Sequence, residues 1–146
     1  MRRSRTLGDR QSVIRIVFGA VSTRPITLSA AAAIEAVEGA AVLAAGLFVG
    51  IEAIIGSPND LASAVVLALI AVATGIGIIA VGRGLWQTRR WARAPALLTQ
   101  IFAVIAAISM IQSRRQVVGV VLIALAIAGA VTLLSPPSTR ALDAEE

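Results

Sequence analysis

Four stretches of the chain stay apolar for about the roughly 20 helical residues needed to cross a hydrocarbon layer of about 30 Å. They run over about 26–55, 61–81, 95–111 and 117–134. Their ends carry helix punctuation. Pro25 and Pro95 sit where a first-turn proline loses no hydrogen bond, and Pro136-Pro137 follows the last apolar residue, where the preceding helix stops. Gly56-Ser57-Pro58-Asn59-Asp60 reads as a tight turn, which makes the first two helices antiparallel neighbours. Gly82-Arg83-Gly84 reads as a second turn at the exit of the second helix. The expected fold is therefore all-α, a four-helix transmembrane bundle over 26–134. A basic cytoplasmic arm over 1–25 precedes it, and a disordered tail over 135–146 follows.

Composition narrows the chemistry. With 58% hydrophobic and 14% charged residues, the chain lacks the polar side chains to cover a soluble domain of its size. It has no histidine, cysteine, tyrosine or lysine. The thiols, imidazoles and amines of most metal sites and covalent catalysts are thus missing, and no cofactor, metal or enzymatic activity is expected.

All 13 basic residues are arginines. Eleven lie in the arm, in the segment between the second and third helices, or after the fourth; only Arg114 and Arg115 fall on the opposite side. The excess of positive charge on cytoplasmic loops then predicts an N-in, C-in topology. Trp86 and Trp91, in the arginine-rich segment, are expected to be interfacial anchors at headgroup depth. Val13 to Phe18 of the arm is expected to lie against an anionic inner leaflet. Nucleic-acid binding is not expected, because no aromatic stacking platform or reading motif accompanies the arginines.

The residues that break the apolar pattern are Glu35, Glu38 and Glu52, in the first helix. A carboxylate at the centre of a membrane costs on the order of 2.5–3.5 kcal/mol on insertion scales, so such residues seldom face lipid. Separations of three and fourteen positions put all three on one stripe. One reading is charge pairing: Arg83, Arg89, Arg90 and Arg93 lie at the level of Glu35 and Glu38, and Arg114 and Arg115 at the level of Glu52. The other is a site for a proton or a cation, which two neighbouring carboxylates in a low dielectric can hold. Gly46/Gly50, Ala71/Gly75 and Ala73/Gly77 have the four-residue spacing of small residues that lets helices approach closely. Thr99, Gln100 and Gln112 are expected to bond to neighbouring helices or interfacial water.

The segment Arg90-Trp91-Ala92-Arg93-Ala94-Pro95, with Gly82 to Arg89 before it, resembles the arginine- and tryptophan-bearing cytoplasmic loop of small four-helix membrane proteins of actinobacteria. Glu35 and the Thr99-Gln100 step match further features of those proteins, and the likeness covers about Ile26 to Leu134. It implies a bacterial plasma-membrane address and a four-helix architecture, and lends no activity. Small multidrug-resistance transporters are also four-helix bacterial proteins with an essential first-helix glutamate, a role open to Glu35 or Glu38. Those transporters surround their glutamate with aromatic residues, whereas here aromatics are 3%. The leading expectation is a non-enzymatic accessory subunit packed against a membrane-protein partner or a second copy of itself. The alternative is a proton-coupled small transporter.

Overall fold

The computed structural model describes residues 25–56 and 60–143. The arm expected over 1–25 lies, apart from Pro25, outside the described residues. Every described element is helical: α1 (Ile26–Ile55), α2 (Leu61–Trp86), a 3-10 turn (Arg90–Ala92), α3 (Arg93–Gln112), α4 (Gln116–Leu134) and α5 (Pro136–Asp143). Four helices, α3 counted with its preceding 3-10 turn, are long and apolar enough to cross a membrane, with mean hydropathies of 1.8 to 2.8. Many of their large apolar side chains, Leu69, Phe102 and Val131 among them, face outward, as suits a hydrocarbon solvent.

Because those side chains are spent on the outside, the helices pack through small residues. A Cβ on Gly75 would come within 2.6 Å of the Leu43 backbone nitrogen, and one on Gly46 within 2.8 Å of that of Val72. Gly39 meets Ile79 in the same way, and Gly82 backs onto Ala32 and Glu35. Each step along α1 is matched by a step back along α2, so these glycines lock an antiparallel pair at backbone contact. Gly50 meets Ala68 only at an ordinary 3.5 Å, and a Cβ on Gly77 would have nothing within 4 Å. The close approach thus uses Gly46 and Gly75, as expected, but the other expected glycines, Gly50 and Gly77, stand aside. Gly39 and Gly82, each seven positions from one of the working pair, take their place, because a seven-residue step keeps a residue on one face of a helix.

α3 and α4 form the second hairpin, with Gly119 against Ile111 and the Ala107 carbonyl. The two hairpins meet mainly through α1 and α4, while α2 and α3 touch little. Helices α2 and α3 both end in the same way. The Arg89 amide donates to the Gly84 carbonyl and the Thr88 amide to that of Leu85; Arg115 repeats the pattern with Met110, and Arg114 with Ile111. These are paired carbonyl caps closed by a left-handed residue, Thr88 at φ 58° and Arg114 at φ 61°, where glycine is usual. At the start of α2, Asp60 accepts from the Ser63 hydroxyl and amide, which hold its carboxyl below the usual carboxylate range. This cap stands at neutral pH and is lost only as acidification carries the pH down through that lowered value.

Two expectations are corrected. Gly82 and Gly84 are not a turn: α2 runs on to Trp86, because both glycines are needed inside it for contact with α1 and with the Trp91 indole. Residues 136–143 are not disordered either. Pro136 and Pro137 stop α4 but also begin α5, since a helix start needs no amide hydrogen from its first residues. Leu142 and Ser138 of α5 are fully buried, with Leu142 among Leu28, Leu85 and Leu133. The Ser138 hydroxyl lies 2.7 Å from the Thr132 carbonyl and 2.8 Å from the Thr27 hydroxyl, so α5 closes one end of the bundle.

Candidate functional site: a buried carboxylate pair bridged by an amide

Glu35 and Glu38 lie on the inner face of α1, 2% and 6% exposed. The α1–α2 contact places them there: Gly39 adjoins Glu38, and Gly82 of α2 packs on the Glu35 Cβ. Their partner comes from the other hairpin. The Gln100 side-chain nitrogen, on α3, donates to Glu35 Oε1 at 2.8 Å and to Glu38 Oε2 at 2.9 Å. Both amide hydrogens are then used, one on each carboxylate. Gln100 reaches α1 past Gly129 of α4, where a Cβ would come within 2.6 Å of the Gln100 carbonyl oxygen. A larger residue there would have to displace the glutamine's amide group, which occupies the space of its side chain.

The arrangement is short of donors. Glu35 Oε2, Glu38 Oε1 and Gln100 Oε1 are buried with no hydrogen-bond partner among the described residues. Three acceptors without a donor, two of them on carboxylates, call for a proton or a cation, because buried unpaired acceptors cost free energy. Proton exchange or ion pairing with a positively charged ligand is therefore the chemistry open to this centre.

The arginines expected as counter-charges are elsewhere. Arg83 follows Gly82 and so sits level with Glu35, but one helical step of about 100° turns it outward, and it is exposed. Arg89 and Arg90 are exposed on the connection, and Arg93 forms a 3.5 Å ion pair with Asp143 of α5. Glu52 is exposed. Its fourteen-position offset from Glu38 leaves it roughly 40° round the helix, off the buried stripe that Gly46 and Ala53 carry at that end. Among the described residues no ion pair joins Glu52 to Arg114 or Arg115. Trp86 and Trp91 are about half exposed at the arginine-bearing end. The sequence marks Gln100 as a hydrogen-bonding residue but not as the bridge, for which its level beside Glu35 and Glu38 is the available signal. Gly129, in a helix rich in small residues, gave none.

Comparison of the chain with protein families, curated proteins and solved structures finds no match.

Replacing Gly129 by alanine should push Gln100 off both carboxylates and lower unfolding stability in detergent by about 1–3 kcal/mol. Gln100→Leu should cost a similar amount, and the double variant little more than either alone, since residues acting on one network are non-additive. Additive losses in the denaturation curves would show that the glycine does not act through the glutamine.

Proposed function

We propose that this chain is a multi-pass, non-enzymatic protein of a bacterial plasma membrane that works as a small proton-coupled transporter, with Glu35, Glu38 and Gln100 as the proton-exchanging centre. The observation that carries the reading is the buried carboxylate pair bridged by one neutral amide, with acceptor oxygens left over and, among the described residues, no arginine against it. A structural charge pair would bring a cation to the carboxylates and keep it there. Among the described residues the fixed partner is the uncharged Gln100, so the compensating positive charge is free to arrive and leave. The accessory-subunit reading takes the arginine-bearing connection as its contact surface, and its support is the exposure of Arg83, Arg89 and Trp91.

The proposed orientation is N-in, C-in. The close contacts of Thr27 with Ser138 and of Arg93 with Asp143 gather the start of α1, the α2–α3 connection and α5 at one end, which carries most of the described arginines. A chain without cysteine suits single-cysteine labelling. In intact cells a membrane-impermeant thiol reagent should label Ser113→Cys and spare Gln87→Cys; the opposite pattern would invert the orientation.

Transport is tested in vesicles holding the purified chain and an imposed pH gradient, to which small organic cations, anions and neutral solutes are added in turn. At least one class should dissipate the gradient, and Glu35→Gln or Glu38→Gln should return the rate to that of empty vesicles while the protein stays folded. Vesicles that stay silent with every solute, together with glutamine variants that lose thermal stability, would favour the accessory role.

A further inference from the structure

We infer that α5 is a lid over the carboxylate centre: Leu142 plugs the water route from the arginine-bearing end of the bundle to Glu35, and the Arg93–Asp143 ion pair latches it shut. The inference rests on the proposed exchanging centre for its consequence, but its test does not use the carboxylates. A buried group that exchanges protons needs a path through water or hydrogen-bonding groups. On one side Glu38 borders a cavity of about 520 Å³ between α2 and α3, whose other lining residues are apolar except for Thr74 and Thr99. That cleft opens sideways, toward hydrocarbon, and brings no water. A proton then reaches the pair from an end of the bundle. Glu35 lies in the third turn of α1, so the nearer end is the one that, among the described residues, α5 closes.

Between that end and the centre, every long helix contributes a buried apolar residue to one cluster. Leu28 stands two turns before Glu35 on α1, and Leu85 three positions beyond Gly82 on α2. Ala96 is one turn outward of Gln100 on α3, and Leu133 one turn beyond Gly129 on α4. Leu142 completes the same cluster with no exposed surface, and it alone of the four leucines belongs to no long helix. It can therefore leave while the four long helices stay packed, and its departure uncovers Ala96 and, one turn below, Gln100. The attachment of α5 suits a hinged part. The extended Ser135 joins it to α4, and Ser138, in its first turn, ties it to Thr27 and Thr132. Leu142 sits at the far end. There the fixed tie is the 3.5 Å contact of Arg93 with Asp143, partly exposed on both sides, and a solvent-exposed ion pair holds weakly. The plug is thus on the end of the helix that releases most easily.

A chain without cysteine lets the layer beneath the plug report its own exposure to water. Ala96→Cys is placed in the full chain in lipid nanodiscs, and its reaction with 2-sulfonatoethyl methanethiosulfonate, which dissolves in water and not in lipid, is timed. Ala31→Cys, in the same cluster on α1, repeats the measurement independently of how Ala96→Cys folds. Ala107→Cys, equally buried at the other end of α3, is the control for general loosening. With the lid intact, Ala96→Cys should react far more slowly than the exposed Ser113→Cys. Asp143→Asn, a surface change that leaves the core untouched, should speed it by about two- to fivefold. Leu142→Ala should speed it by more than about tenfold, with Ala107→Cys unchanged in both backgrounds. Rates at Ala96→Cys and Ala31→Cys that neither lid variant alters, or an equal rise at Ala107→Cys, would overturn the inference. The outcome separates from that of the transport reading. Lid-dependent labelling in a chain whose vesicles never lose their pH gradient would uphold the lid and refute coupled transport. Glu35-dependent loss of the gradient with lid-independent labelling would do the reverse.

Discussion

One amide nitrogen, that of Gln100, donates to both buried carboxylates of α1, and the relation of the two hairpins is organised around that contact. A carboxylate deprived of its hydrogen-bond donor in a buried setting is costly, commonly by about 1–3 kcal/mol. The chain therefore accommodates the glutamine in its packing: Gly129 on α4 leaves the volume that the Gln100 side chain fills, and Gly82 on α2 lets α2 close over Glu35.

The same use of small residues explains why the molecule has a cleft. Apolar side chains gain little from one another over acyl chains, so association in hydrocarbon depends on how closely backbones approach. α1 and α2 approach closely between the Ala32–Gly82 and Gly46–Val72 contacts through Gly39, Gly46, Gly75 and Gly82, and α3 and α4 approach at Gly119. No such contact joins α2 to α3. The Schellman-type cap at Thr88 and the 3-10 turn that follows return the chain to the second hairpin, and the Trp91 indole rests on Gly84, while α2 and α3 themselves touch little. Glu38 is thus buried in the packing yet borders a space that opens to the outside.

The four long apolar helices and the special status of Glu35 and Glu38 were legible in the sequence, since hydropathy over twenty residues and a charge within it are strong local signals. The partners were not. Arginines level with the glutamates suggested ion pairs, but level is a coordinate along the helix, and it is rotation about the axis that points Arg83 away. Four-residue small pairs suggested Gly50 and Gly77, whereas the contact runs on seven-residue steps, and a sequence in which alanine and glycine abound does not separate the two. In sequence the Pro136-Pro137 step reads only as a stop, because one proline pair serves both as the end of one helix and the start of the next.

The central claim is that Glu35 and Glu38 take up and release a proton within an uncharged bundle interior. Infrared difference spectroscopy on the chain in lipid nanodiscs, stepped from mildly acidic to mildly alkaline pH, reads it directly. A protonated-carboxyl stretching band that appears and vanishes with pH, and that Glu35→Gln and Glu38→Gln each shift or remove, is the predicted result. A spectrum with no such band at any pH in that range, or with a band that both glutamine substitutions leave unchanged, would contradict it.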